Sequence, residues 1–240
     1  MAALLGNFGL RLLRSVTNMA QGIFITGTDT GVGKTTVACA LLRAYAAQGL
    51  RAIGMKPVAA GIAAGAACND DVAVLDAAGN VAAPVSLRNP YAFVPAIAPH
   101  LAAREAAIAP ELARIRAAYG ELAARADRIV VEGAGGALVP LDRHVDMLDV
   151  AQALGLPILL VVGLRLGCLN HALLSALAIR ARGLALAGWA ANVIDPAMAR
   201  VDGNLATLDE RLPAPRVATF DWGRPDAPEW GVGAAALGIR

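Results

Sequence analysis

The stretch Gly27-Thr28-Asp29-Thr30-Gly31-Val32-Gly33-Lys34-Thr35-Thr36 constrains this chain more than any other. It follows a short apolar run, Gly22-Ile23-Phe24-Ile25-Thr26, and leads into a helix-like segment from Val37 to Gln48. A strand, a glycine-rich turn and a helix in that order make a phosphate cradle. The helix N-terminus offers unpaired N–H groups and the positive end of its dipole, and glycines let the backbone approach an anion closely. In such a loop Lys34 reaches the β- and γ-phosphates and the Thr35 hydroxyl a Mg2+. The spacing departs from the usual Gly, four residues, Gly-Lys-Thr: Thr28 stands five positions before Gly33, and Gly27 lies one residue too far.

A chain of 240 residues can bury one sizeable α/β core, and nothing in it demands a second. Hydrophobic content of 57% with a mean hydropathy of +0.56 suggests a membrane protein at first sight. Alanine carries much of that figure, however, and no charge-free apolar run of about 18 residues occurs. The expectation is a soluble protein with no membrane partner. A net charge of +2 with interspersed signs and an aromatic content of 4% argue against nucleic acid as a partner. Cys39, Cys68 and Cys168 are far apart, which fits neither a zinc site nor a disulfide framework and points to a reduced, cytoplasmic compartment. Of the 21 basic residues only Lys34 and Lys56 are lysines. Arginine is a fixed charged fork and lysine a compact donor whose pKa can be shifted, so a lysine here is expected where arginine would not serve.

Taken in order, residues 1–20 hold Arg11 and Arg14, no acid and scattered leucines, and read as a poorly ordered extension of a domain at 21–240, with Met19 as an alternative start. Arg51 to Met55 reads as a second strand stopped by Pro57, which leaves Lys56 at the carboxyl edge where open parallel sheets bind ligands. Residues 59–69 have loop composition. Asn69 or Asp70 would cap the helix that follows, leaving an aspartate free to face the phosphates. Asn89 to Pro99 reads as a loop and Pro110 to Ala126 as a helix. Asp127 to Glu132 is a buried-strand pattern ending in an acid and followed by Gly133-Ala134-Gly135-Gly136. Beside a phosphate loop, such a carboxylate serves a metal, and the glycines admit a nucleotide. Pro157 to Val162 and Leu186 to Val193 are further strands, with Asn192 at a strand end. His171, in the first turn of an apolar helix, reads as structural. Strands and helices alternate throughout, which predicts a single doubly wound α/β domain of the P-loop NTPase type, its mostly parallel sheet covered by helices on both faces.

These residues resemble the dethiobiotin synthetase family. The resemblance rests on the loop Gly27 to Thr35 with its displaced glycine, Lys56-Pro57-Val58, Asn89-Pro90-Tyr91 with Pro99-His100, Val131 to Gly136, and Gly167-Cys168-Leu169-Asn170-His171, matched in order. It implies a ligase that uses ATP, Mg2+ and CO2 to close a cyclic urea on 7,8-diaminononanoate through a phosphorylated carbamate. By the same resemblance Lys56 and Lys34 are catalytic. Gly31, Val32, Gly33, Lys34, Thr35 and Thr36 hold the phosphates, and Thr35, Asp71 and Glu132 hold the metal. Asp71 is taken over Asp70 because it aligns better with the helical run Val72 to Leu75. Glu132, Gly133, Ala134 and Gly135 border the nucleotide, and Asn192, Val193, Phe220, Asp221 and Trp222 its base; Asp221 replaces a family proline. Thr30, Ala60, Gly167 and Asn170 are assigned to the substrate, Ala60 standing where the family commonly has serine. The segment 163–170 is expected to reach across a homodimer with shared active sites. The rival reading is a ParA/MinD-like ATPase switch, whose phosphate loop carries an early lysine where this chain has Thr28-Asp29-Thr30.

Overall fold

The computed structural model describes residues 21–239; the extension expected at 1–20 lies outside the described residues. β1 (Gln21–Gly27) runs through the glycine-rich loop into α1 (Lys34–Ala47), followed by β2 (Ala52–Met55), β3 (Val58–Ala60), α2 (Asp70–Ala78), α3 (Val85–Arg88) and β4 (Tyr91–Phe93). Next come α4 (Pro99–Glu105), α5 (Leu112–Ala123), β5 (Arg128–Gly136), α6 (Met147–Leu154), β6 (Ile158–Leu164) and α7 (Cys168–Ala181). The chain closes with β7 (Leu186–Val193), α8 (Val201–Arg211), β8 (Arg216–Phe220), β9 (Glu229–Trp230) and a short 3₁₀ helix, Val232–Leu237.

The main sheet has seven strands in the order β2-β5-β1-β6-β7-β8-β9, all parallel except the final antiparallel pair. β6 is buried at every position, as expected for a continuous apolar run lying between two parallel neighbours and covered on both faces. Alternate residues divide the core. Phe24, Ile129, Val131 and Ile158 pack on one face with Ile115 and Leu122 of α5 and Leu148 of α6. Ile23, Ile25, Val130 and Leu159 face the opposite way, onto Val37, Leu41 and Leu42 of α1 and Leu75 of α2. Leu160, Val162 and Trp189 pack under α7 and α8. Each such fully buried side chain contributes about 1.5–3 kcal/mol. From β1 the chain runs outward to β2, returns at β5, then departs to the other side through β6, β7 and β8. The order reverses at β1, and a crevice opens at its carboxyl end, where the phosphate loop begins.

Two sequence expectations change. Residues 89–99 are not all loop: β4 pairs in parallel with β3 as a separate two-stranded sheet. Pro57 ends β2, yet the chain remains extended beyond it, and Pro57 O accepts from Tyr91 N–H at 3.1 Å, starting the new ladder. Glu132 does not end its strand either. β5 continues through the glycines to Gly136, which pairs with Gly27 across a register shift after Ile25. Within this run Gly135 turns into the left-handed region at φ 63°, and Gly136 regains its place beside Gly27.

Candidate active site

The phosphate loop is shaped by two left-handed glycines, Gly31 at φ 74° and Gly33 at φ 91°. Gly33 caps α1 without any side chain, and the first helical bond is Val37 N–H to Gly33 O at 3.1 Å. The N–H groups of Lys34, Thr35 and Thr36 therefore have no carbonyl within the helix and face the crevice as an anion site. Two side chains stiffen the loop. Asn192, on β7, donates from Nδ2 to Val32 O at 3.0 Å. Asp29 accepts from Thr30 N–H at 2.7 Å and binds Arg165, just beyond β6, at 2.6 Å. Lys34 curls over the loop, its Nζ donating to Asp29 O at 3.0 Å. Burial lowers its ammonium below the ordinary lysine value; Lys56 adds to this and Glu132 opposes it.

Beside the loop lies an ion cluster drawn from four segments. Lys56, at the carboxyl end of β2, places Nζ 2.5 Å from Asp71 Oδ2 and 2.7 Å from Glu132 Oε1. Thr35 donates its hydroxyl toward Asp71 Oδ1 and Glu132 Oε1, each at 3.0 Å. Burial works against the Lys56 charge, but the two carboxylates outweigh it and hold the ammonium above the ordinary lysine value. Burial likewise pushes Asp71 up, and Lys56 with Thr35 more than reverses this. Glu132 is 1% exposed, burial drives its carboxyl upward, and its Oε2 is buried with no hydrogen-bond partner. Thr35 Oγ1, Asp71 and Glu132 make a hard, all-oxygen donor set with a spare carboxylate oxygen. This fits Mg2+, which takes one or two carboxylates and completes its shell with water and phosphate. In keeping with so sparse a set, the described residues contain no group of three or more His, Cys, Asp or Glu placed to hold a metal.

A family model described as an AAA domain matches residues 21–225. The ATP-dependent dethiobiotin synthetase BioD of Nitrosospira multiformis is 56% identical over 197 residues, which is 82% of this chain and 86% of that protein. The protein of the same name from Pseudomonas aeruginosa PAO1 is 51% identical over 222 residues, covering 90% of this chain and 97% of its own. The chain belongs to the ATP-dependent dethiobiotin synthetase family. Solved structures of lower identity show the fold alone. Signal recognition particle receptor FtsY from Elizabethkingia anophelis superposes with a TM-score of 0.53 at 17% identity, over 92% of this chain and 63% of that one. The MinC:MinD complex of Aquifex aeolicus gives 0.53 at 17% identity, over 83% of this chain and 81% of the other.

The remaining residues that the dethiobiotin synthetase resemblance singles out fall into separate places. Thr30 lines a cleft of about 370 Å³ with Asp29, Gly136, Leu138 and Leu174. Gly135, at φ 63°, allows close contact there, since a Cβ would lie 3.4 Å from Thr30 Oγ1 and 2.7 Å from Val139. Ala60 ends β3 and presents its carbonyl to Asn69. Gly167 caps α7 in the left-handed region at φ 95°, and Asn170 is exposed in the first turn of that helix; neither lines the cleft. Gly133 and Ala134 follow Glu132 on β5. Val193 ends β7 beside Asn192, Asp221 is exposed, and Trp222 is exposed as well. The Phe220 side chain is fully buried in the core, so only its backbone can face a nucleotide. Of the expected aspartates, Asp71 enters the cluster and Asp70 points to solvent.

Two buried amides lie behind the ions; the sequence offered Asn69 as one of two candidate caps, and what it missed are the bonds both amides make across the fold. Asn89 donates from Nδ2 to Lys56 O at 2.7 Å and to Tyr91 O at 3.0 Å. Asn69 caps α2, accepting from Asp71 N–H at 3.0 Å. The Asn-Pro turn and the Asn-Asp-Asp cap were visible as local signals, but their bonds across the fold were not.

Proposed function

We propose that this chain is an ATP-dependent dethiobiotin synthetase, closing the cyclic urea of dethiobiotin on 7,8-diaminononanoate with CO2. One substrate amine takes up CO2 to give a carbamate and a proton. A carbamate oxygen attacks the γ-phosphorus, and ADP leaves. The neighbouring amine then attacks the carbonyl carbon of the mixed anhydride, the C–O bond to phosphate breaks, and inorganic phosphate departs with the ring closed. Both reactants of the phosphoryl transfer are anions, so the barrier depends on positioning and on positive charge.

The observation that carries this reading is Lys56, a buried ammonium held at the mouth of a phosphate loop by Asp71 and Glu132. Lys56 contacts the carbamate and the γ-phosphate, and Lys34 with the N–H groups of α1 holds the β- and γ-phosphates. Thr35, Asp71 and Glu132 would hold Mg2+, which would supply charge neutralisation at the phosphates. Gly133 to Gly135, Asn192, Val193 and the backbone at 220–222 border the nucleotide. The cleft at Thr30 takes the diamine, and Ala60, at the end of β3, lacks the hydroxyl of a serine. A homodimer completes the site, with Gly167 and Asn170 of one copy serving the substrate of the other. Support comes from apolar side chains left exposed: Leu138 and Leu174 line the cleft, Leu177 lies on α7 and Leu166 just before it.

Purified protein supplied with ATP, Mg2+, bicarbonate and 7,8-diaminononanoate should yield dethiobiotin and ADP in equal amounts. ADP release independent of the diamine, with no dethiobiotin formed, would instead favour a ParA/MinD-like switch.

A further inference from the structure

The backbone N–H of Asp71 is held from behind by a side-chain amide. Asn69 is buried, and its three side-chain hydrogen bonds go to two backbone segments. Its Oδ1 accepts from Asp71 N–H at 3.0 Å, capping α2. Its Nδ2 donates to Ala60 O at 3.2 Å and to Gly61 O at 2.7 Å. Ala60 ends β3, whose chain begins just after Lys56, and Asp71 lies in the first turn of α2. One side-chain amide thus bridges the segment that carries the ammonium and the segment that carries its partner.

A cap alone does not demand this residue. Serine, threonine or aspartate would satisfy the helix N-terminus as well, but none of them also offers two donors. Here both donors are spent on carbonyls across the mouth of the glycine- and alanine-rich loop 61–68. Both ends of that loop are thereby fixed to one side chain. Residues that orient ligating carboxylates in this way contribute through the group they hold.

We propose that Asn69 is a positioning residue that fixes Asp71 against Lys56 and Thr35 for Mg·nucleotide binding. This rests on the reading of Asp71 as a metal-site carboxylate. The test measures ADP affinity by calorimetry with Mg2+ and with EDTA, together with kcat and KM, for Asn69→Ser, Asn69→Ala, Asp71→Asn and the double variants. Asn69→Ser keeps a capping oxygen and removes both donors, so it carries the test if Asn69→Ala does not fold. The expected result is a loss of about tenfold in Mg2+-dependent ADP affinity for either Asn69 variant, with affinity in EDTA near that of the wild type. In the Asp71→Asn background the same change should cost less than about twofold, because the group it acts through is already gone. Asn69 variants that melt earlier but bind Mg·ADP normally would overturn the proposal, as would a loss that recurs undiminished with Asp71→Asn. If Asp71→Asn alone leaves Mg2+ dependence unchanged, the metal-site reading itself fails.

Discussion

Lys56 Nζ and Glu132 Oε1 meet at 2.7 Å with both side chains almost wholly out of water. β2 and β5 are hydrogen-bonded neighbours, so the pair joins adjacent parallel strands where they open onto the phosphate loop. Breaking such a pair costs more than the pair is worth, because the surviving charge is left without a counterion.

Lys56→Ala should therefore act twice. Turnover falls by at least about 3 kcal/mol of transition-state stabilisation, the scale of losing one preorganised donor. Stability falls by about 3–5 kcal/mol through the uncompensated Glu132. Mg2+ with ADP should recover part of the melting temperature, since it brings a cation back to that carboxylate. Calorimetric melting with and without Mg·ADP checks this, and a variant as stable as the wild type without ligand would contradict it.

Asp71 and Lys56 set opposite pH limits. Asp71 is held below its ordinary value of 3.8, so its stabilisation is present above that value and is lost as the pH falls through the lower folded value. Lys56 is held above 10.5, so its share is present below that value and is lost as the pH rises through the higher folded value. Urea midpoints of the wild type and Asp71→Asn should differ near neutrality and converge between about pH 5 and pH 2, as the native carboxylate is protonated. Asp70→Asn should follow the wild type throughout and keep its Mg2+ dependence.

The two loop glycines should not respond alike to alanine. At Gly31 no atom lies within 4 Å of an added Cβ, and the cost is the left-handed backbone alone, roughly 1–2 kcal/mol. At Gly33 the new carbon would lie 2.0 Å from Asn192 Nδ2 as well. Gly33→Ala should therefore be the less stable and lose ADP affinity through the displaced Asn192. Equal unfolding midpoints would speak against this.

The exposed leucines give a test of the shared site. Leu174 and Leu177, 56% and 63% exposed, lie three residues apart on α7. Leu177→Glu should shift the protein from dimer to monomer in light scattering and lower dethiobiotin formation, while the melting of each subunit's core changes little. A fully active monomer would refute the dimer.

The strand-turn-helix around Gly33 and the lysine beyond β2 were legible because local pattern suffices for both: apolar runs, a glycine turn and a proline stop. Asp71 was preferred to Asp70 from its place before the helical run, with the cap left between Asn69 and Asp70; that Asn69 takes it depends on its amide reaching Ala60 O and Gly61 O, which no local pattern shows. The β3–β4 sheet was hidden because three-residue strands carry no usable periodicity. Phe220 was placed beside the base by the family resemblance. Its ring turns inward because β8 pairs with β7 in a register that no local signal sets.

The ion cluster also has a temporal consequence. Thr35 and Glu132, which share a hydrogen bond, are 97 positions apart along the chain, and Lys56 and Glu132 are 76 apart. No shorter piece of the polypeptide holds the complete set, and the long loops must close before these contacts reward the closure. During refolding, Mg2+-dependent ADP binding should consequently emerge only after β1 and β2 have docked on β5. The ability to hold nucleotide then reports assembly of the β2-β5-β1 part of the sheet, and a nascent chain remains chemically silent until that point.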